Sequence, residues 1–427
     1  MSALARRFMM IKLFNGKEDC CGCTACKSIC PKHAIMMQPD EDGFLYPHIN
    51  ENLCIKCGLC KKVCPFENSS QIAEHLFDGK PIAAYAAIHN NMEILKSSSS
   101  GGVFPAVASI VLDNNGVVFG CTMNSNMEAE HISIDSINGI KKLQGSKYVQ
   151  SNVKKTFQET ENYLKEGRLV LYTGTPCQIA GLKSYLGKDY ENLITIDLVC
   201  HGVPSPTFFK GYINWFEKKV NGRIVDFKFR NKSKIGMGCI GKAIYIKNGR
   251  IYKKAIIPSC NYYYQYFENG DIDRECCYRC KYASGDRPGD FTMGDYWGIE
   301  NVHPKIDTQN GVSVLLVNSK KGMQLIGKIN GFLKLTESSF EKARIYNGNL
   351  NHPTHMSDKR ELIFKTFRES GAYAVDRMYR ESVGKKMIWY RIKAMIPNSF
   401  KRRIKKLFGL LRHFQKFIRP LHDEEPQ

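Results

Sequence analysis

Cys20-Cys21-Gly22-Cys23-Thr24-Ala25-Cys26-Lys27-Ser28-Ile29-Cys30-Pro31 and Cys54-Ile55-Lys56-Cys57-Gly58-Leu59-Cys60-Lys61-Lys62-Val63-Cys64-Pro65 repeat one spacing, C-x2-C-x2-C-x3-C-P. Three thiolates two residues apart can cap three corners of a 4Fe-4S cube from a single turn of backbone. The fourth, held apart by the following proline, reaches across to the other cube. The spacing therefore predicts one cluster on Cys20, Cys23, Cys26 and Cys64, and a second on Cys54, Cys57, Cys60 and Cys30. Zinc knuckles and a disulfide framework are the competing readings. Zinc needs four thiolates per site and gives no reason for the third short interval or for a proline after each fourth cysteine. Cys21 is left over and reads as a packed free thiol.

Between the motifs, Ile35-Met36-Met37 and Phe44-Leu45-Tyr46 flank Asp40-Glu41-Asp42-Gly43, the pattern of a hairpin inside a small ferredoxin module. Asn68-Ser69-Ser70-Gln71 reads as the exit from that module. At 427 residues the chain has room for two or three domains with a substantial core. Of its 17 cysteines nine precede residue 65, and cluster ligation needs reduced thiolates, so a reducing, cytoplasmic setting is expected. The start lacks an apolar stretch fit for a signal peptide, and no run of about 18 apolar residues follows that could span a bilayer.

Farther on, Ile82 to Ile88 reads as a strand. Ser97-Ser98-Ser99-Ser100-Gly101-Gly102 then leads into a helix from Val103 to Leu112, with Pro105 in its first turn. Such a helix start can hold a phosphate, and an ordinary cap is the plainer alternative. Val117 to Met123 and His131 to Ile134 read as strands, and Val153 to Glu166 as a helix. Arg168 to Tyr172 is a strand, Thr173-Gly174-Thr175-Pro176-Cys177-Gln178 a turn, and Ile179 to Leu186 a helix. Asn192 to Val199 is a buried strand ending at Cys200-His201-Gly202, with a helix from Thr207 to Val220. Strand, loop and helix twice in succession imply an α/β layer with its chemistry at the strand ends. Gly236-Met237-Gly238-Cys239-Ile240-Gly241 matches G-x-G-x-x-G but leads into a hairpin around Asn248-Gly249, so it is not read as a dinucleotide site. Val312 to Asn318, Gly322 to Ile329 and Phe332 to Leu335 close the large domain.

Four more cysteines stand in suggestive places: Cys177 and Cys200 at strand ends, and Cys277 with Cys280 as a C-x2-C pair. Together they could complete a third thiolate site. Their separation carries no geometric constraint, so buried inert thiols are the alternative. His201, beside Cys200, reads as a packed or hydrogen-bonded side chain, and no catalytic acid is assigned.

Thr173 to Gln178, Asp197-Leu198-Val199-Cys200-His201-Gly202, Ser99 to Gly102, Gly145-Ser146-Lys147-Tyr148-Val149-Gln150 and Gly294-Asp295-Tyr296-Trp297-Gly298 resemble motifs of the coenzyme F420 hydrogenase/dehydrogenase beta-subunit family. The flavin domain of the plant 7-hydroxymethyl chlorophyll a reductase is similar. The resemblance covers roughly residues 80 to 335. It implies FAD near Ser99, Ser100, Gly101, Gly102, Lys147, Tyr148, Gly174, Thr175 and Pro176, with a third 4Fe-4S cluster on Cys177, Cys200, Cys277 and Cys280; whether Cys276 or Cys277 is the ligand stays open.

The expected fold is α+β and multi-domain: a bacterial-type ferredoxin domain at 1–75, a mixed α/β flavin-binding domain at 76–355, and a helical basic tail at 356–427. The expected function is an iron-sulfur flavoprotein oxidoreductase. Clusters pass single electrons, and a flavin exchanges hydride or two electrons with a small-molecule substrate or a deazaflavin coenzyme. The expected electron partner is a carrier such as ferredoxin or a partner redox subunit. The alternative is an electron-transfer subunit or carrier with no substrate of its own.

Lys and Arg number 62 against 41 Asp and Glu, a formal charge of +21, and the stretch from Lys385 to Arg419 holds 12 of the basic residues and no acid. Within it Phe400, Ile404, Leu407, Phe408, Leu411, Phe414 and Ile418 share a helical face, as in a helix lying on an anionic membrane surface; docking on protein fits the pattern equally. The charge lacks a nucleic-acid reading module, so no nucleic-acid partner is expected.

Overall fold

The computed structural model describes residues 12–66, 80–232 and 240–396. The first stretch forms the hairpin expected between the cysteine motifs. Strand β1 (Ile35–Pro39) pairs antiparallel with β2 (Leu45–Ile49), from Ile35 opposite Ile49 to Pro39 opposite Leu45. Asp40 closes the turn by accepting the Phe44 N–H at 2.8 Å. One helical turn follows the second cysteine of each motif, α1 (Ala25–Ser28) and α2 (Leu59–Lys62).

The large domain is built on an eight-stranded sheet. Its strands are β3 (Ala83–His89), β4 (Val117–Met123), β5 (Ala129–Ile134), β6 (Val170–Thr173), β7 (Leu193–Leu198), β11 (Phe291–Asp295), β12 (Ser313–Val317) and β13 (Leu333–Ser338), in the order β13-β3-β12-β11-β7-β6-β4-β5. β4, β6, β7 and β11 run parallel, and β3, two antiparallel steps from β11 across β12, shares their direction. Five strands thus end at one edge, where open α/β sheets place their ligands.

Alternation along the strands supplies two apolar faces. Leu171, Ile194, Ile196, Leu315 and Val317 meet helix α3 (Val103–Asp113) on one side. Val170, Tyr172 and Leu193 face the other side, against helices α4 (Thr156–Lys165) and α5 (Pro176–Leu186). Cys21, Cys23 and Ala25 join that second core, so the cysteine module packs directly on the sheet's helical layer.

Between β7 and β11 the chain adds helix α6 (Pro206–Val220), a three-stranded sheet β8 (Arg223–Lys228), β9 (Gly241–Lys247) and β10 (Arg250–Ile256), and helix α7 (Tyr262–Glu268). The expected β9–β10 hairpin is present. Asn248 and Gly249 both have positive φ, 49° and 71°, as its two-residue turn demands. Residues 236–239 of the glycine-rich match lie outside the described residues. Phe208, Phe209, Tyr212, Trp215 and Phe216 make the α6 face the centre of an aromatic core shared with Tyr262, Tyr263 and Tyr264.

The stretch expected as a tail starts with a docked element. Arg360–Val383 is helical, broken at Gly371 (φ 72°), and buries Ile363, Phe364, Val375 and Tyr379 in that same aromatic core. Lys386–Met395 is the last described helix. The amphipathic stretch from Phe400 to Ile418 lies outside the described residues, as do Asn68 to Gln71. Among the described residues no helix is long and apolar enough to cross a membrane.

Candidate functional site

Two hollows open in the cysteine module. Cys20, Cys21, Cys23, Cys26, Cys60 and Cys64 line the first, and Cys30, Cys54, Cys57 and Cys60 the second, so that Cys60 borders both. Left-handed backbone shapes both in the same way: Gly22 and Thr24 have φ of 69° and 68°, and their counterparts Lys56 and Gly58 have 55° and 78°. These turns aim successive thiols inward, and the Cys30 thiol also accepts the Ala34 N–H at 3.3 Å. Among the described residues no three His, Cys, Asp or Glu side chains converge tightly enough to ligate a single ion. The thiols stand around space, which suits a multi-atom cube better than one Zn2+ with ligands at about 2.3 Å.

The walls of the first hollow pack against the large domain. A Cβ placed on Gly181 of α5 would sit 2.8 Å from Cys23 Sγ, so this helical glycine permits the contact. Ser184 Oγ donates to the Val63 carbonyl at 2.6 Å, and Lys281 Nζ donates to the Pro65 carbonyl. Cys21, the spare thiol, hydrogen-bonds Cys177 on one side, which lowers its pKa, and Cys23 on the other, which together with burial and the nearby thiols outweighs that and pushes the pKa well up.

Behind Cys21 lie the four cysteines nominated from strand ends and the C-x2-C pair. Burial, then Cys277, Cys177 and Cys280, raises the Cys200 pKa well above the usual thiol value. Burial, Cys177 and Cys277 push Cys280 up to about 12. Cys276 is hydrogen-bonded to Cys277 and feels Arg274, Cys21 and Cys177. Beneath this group a fully buried ion pair fixes the loop: Arg287 Nη2 meets Asp197 Oδ1 at 2.6 Å, and the Gly289 N–H donates to Asp197 Oδ2 at 2.9 Å. Asp197 in the Asp-Leu-Val-Cys-His-Gly run thus holds the segment after Cys280 against the end of β7. His201 is tied by Nε2 to the Phe267 carbonyl at 3.0 Å.

The residues nominated for a flavin gather at the strand-end edge, by two different routes. Ser99 Oγ accepts the Ser146 N–H at 2.8 Å, which joins the Ser-Gly loop to the Gly145–Gln150 loop. Gly102 (φ 86°) caps α3, while Gly174 and Thr175 precede α5, where Thr175 N donates to Gln178 Oε1 at 3.0 Å and Pro176 opens the helix. Several members are already engaged. Ser100 Oγ donates to the Val312 carbonyl at 3.0 Å, and the Gly101 N–H to Ser313 Oγ at 2.7 Å. Lys147 Nζ donates to the Leu143 and Gln144 carbonyls at 2.8 and 3.1 Å, and burial lowers its pKa to about 8. Tyr148 stacks on Phe267 with centroids 4.7 Å apart.

Sequence reasoning passed over three neighbours. Lys232 Nζ donates to the Leu95 and Asn310 carbonyls at 3.0 and 2.7 Å and to that of Ser100, tying the Ser-Gly loop to the β11–β12 connection. His131, buried beside Gly174, bonds the Thr173 carbonyl at 3.0 Å. His89 is 5% exposed and its Nε2 has no partner among the described residues, although its Cβ abuts Gly102. Lone basic residues at the ends of short β segments were the available signal.

Two family models match parts of the chain. Residues 19–68 match the 4Fe-4S dicluster domain, and residues 167–342 match the C terminus of the coenzyme F420 hydrogenase/dehydrogenase beta subunit. This chain joins those two domains. Its N-terminal module is a 4Fe-4S one, and its large domain carries a stretch similar to the F420 hydrogenase/dehydrogenase beta subunit. The F subunit of the F420H2 dehydrogenase of Methanosarcina mazei is 22% identical over 73% of this chain and 88% of its own length. An uncharacterized ferredoxin of Methanocaldococcus jannaschii is 46% identical over 46 residues, 11% of this chain and 25% of its own. Among solved structures, a chain of the F420-reducing nickel-iron hydrogenase complex from Methanosarcina barkeri aligns at TM-score 0.39 and 16% identity over 72% of this chain and 95% of that one.

Proposed function

We propose that the chain is an electron conduit from a surface carrier to a flavin. Cluster two would sit on Cys30, Cys54, Cys57 and Cys60, cluster one on Cys20, Cys23, Cys26 and Cys64, and a third cluster on Cys177, Cys200, Cys277 and Cys280. The observation that carries this reading is Cys21, whose thiol bridges Cys23 and Cys177 and so brings the first hollow against the strand-end thiols. FAD, when bound, supplies the exchange between two-electron chemistry and single electrons. Ser99, Ser100, Gly101, Gly102, Lys147, Tyr148, Gly174, Thr175 and Pro176 are the residues proposed around it. The partnerless His89 Nε2 next to the Gly102 cap supports an anionic group there. The domain limits 1–75, 76–355 and 356–427 are retained as working boundaries, with Arg360–Val383 docked on the body.

The two-electron partner would be a deazaflavin coenzyme or another small molecule. The one-electron partner would approach cluster two, where Cys57 is exposed, with Ile55 58% and Leu53 50% exposed. Exposed Lys32, Lys56, Lys61 and Lys62 surround this patch, which suits an acidic carrier such as ferredoxin or an acidic face of a redox subunit.

A second reading, a carrier subunit without flavin, is favoured by the engaged donors of Gly101 and Lys147. Anaerobic purification with iron, sulfide and flavin analysis separates the two. The conduit requires about 12 Fe and one FAD per chain. A chain with about 8 Fe and no FAD would leave only the carrier.

A further inference from the structure

Arg274 is completely buried, in the seam between the cysteine module and the large domain. Its Nε donates to the Cys20 carbonyl at 2.7 Å. Nη2 donates to the Leu45 carbonyl at 3.1 Å and to Cys20 Sγ at 3.7 Å, and Nη1 donates to Gln150 Oε1 at 3.2 Å. The guanidinium also lies 3.9 Å from the centroid of the Tyr46 ring. None of these partners is a carboxylate. The other fully buried arginine, Arg287, has Asp197 at 2.6 Å. A buried cation surrounded by neutral groups is strongly disfavoured, so Arg274 calls for an anion. The first hollow lies directly beside it, lined by the same Cys20. Four thiolates around a 4Fe-4S core leave the whole negatively charged in both of its working oxidation states.

The sequence makes room for this contact. A Cβ on Gly22 would sit 3.1 Å from Arg274 Nη1, whereas the matching position of the second motif carries Lys56, an exposed side chain. Hydrogen bonds to cluster sulfurs and the local net charge set cluster potentials. A buried guanidinium acts unscreened, and exposed lysines around the second hollow act through solvent.

We propose that Arg274 is the counter-cation of cluster one, raising its reduction potential above that of cluster two so that single electrons from the carrier settle at the inner end of the module. In this step the carrier is oxidised by one electron and cluster one is reduced by one; no bond forms or breaks. The proposal rests on the ligand assignment given above.

The test uses the full chain, reconstituted anaerobically and titrated potentiometrically with EPR detection, as wild type, Arg274→Gln and Arg274→Lys. Cys57→Ser assigns the cluster-two signal. Arg274→Gln is expected to weaken reduction of cluster one about tenfold, about 59 mV for one electron, with cluster two unmoved and Arg274→Lys close to wild type. Loss of cluster-one iron in Arg274→Gln alone, with Arg274→Lys loaded and near the wild-type potential, also supports the counter-cation. Wild-type potentials in a fully loaded Arg274→Gln protein overturn it. Equal loss of cluster-one iron from both variants also overturns it, because the residue is then a clamp whose charge is immaterial. Wild-type protein with too little iron for two cubes would remove the ligand assignment itself, a failure visible before any variant is made.

Discussion

The two hollows of the cysteine module share a spacing, a backbone and a set of left-handed turns, yet their surroundings are opposite. The first has α5, Arg274 and Lys281 of the large domain packed on its walls. The second opens on exposed Cys57, Leu53 and Ile55. Ligand geometry is therefore a local property of each motif, and the job of each site is set by what distant chain packs on it. The outer hollow suits exchange with a partner, and the inner one suits relay.

Gly181 offers the strongest way to break that contrast. Gly181→Leu drives a side chain into Cys23, whose Sγ would be 2.8 Å from the new Cβ. The variant is expected to lose cluster one, about four iron atoms, and to keep cluster two. At the outer hollow nothing lies within 4 Å of a Cβ on Gly58. Gly58→Ala therefore costs only the left-handed backbone, about 1–2 kcal/mol, with its iron retained. Iron analysis and thermal melts of both variants check the pair; equal iron loss would show that the two hollows are not differently enclosed.

The next effect lies behind the inner hollow. Arg287→Met leaves Asp197 buried without its partner, and breaking such a pair costs about 3–5 kcal/mol. Denaturant unfolding should show this loss, and Asp197→Leu with Arg287→Met should recover part of it. A single variant as stable as wild type would mean that the loop behind Cys280 is held by other contacts.

The 4Fe-4S module was legible because C-x2-C-x2-C-x3-C-P is a local code. Strands such as β4 and β12 and helices α3 and α6 were legible from apolar runs and their caps. β8 was missed: Ile224 and Phe227 are its buried positions, three apart, because a bulge between Ile224 and Asp226 breaks the alternation. The docking of Arg360–Val383 was missed because Gly371 interrupts a largely polar helix that buries few side chains. Arg274 and Gly181 escaped for a different reason. Arg274 meets Cys20 from 254 residues away, and no spacing rule reaches across such a loop. The flavin residues came from resemblance to a family, and their physical roles are still to be measured.

At the outer hollow the expected change is kinetic. Ile55 is 58% exposed and carries little of the fold. Ile55→Asp puts a negative charge in the lysine-ringed patch and should raise KM for an acidic ferredoxin about tenfold, about 1.4 kcal/mol, with kcat and iron content unchanged. Raising the salt should weaken the wild-type interaction in the same direction. A KM insensitive to both would move the carrier site elsewhere.

The smallest effect is a pH dependence at the inner edge. His131 is 2% exposed, bonded to the Thr173 carbonyl at 3.0 Å and to Ser151 Oγ at 3.1 Å, and burial lowers its pKa from 6.5 to about 4. The folded state therefore keeps the ring neutral over a range in which the unfolded chain binds a proton. Its contribution is complete above the unfolded value and is lost as pH falls from about 6.5 towards 4. Between pH 7 and pH 5.5 the loss amounts to about 1 kcal/mol. His131→Asn should flatten that part of the stability profile in urea melts. If the replacement left the slope intact, burial at the strand-end edge would be looser than at the inner hollow it adjoins.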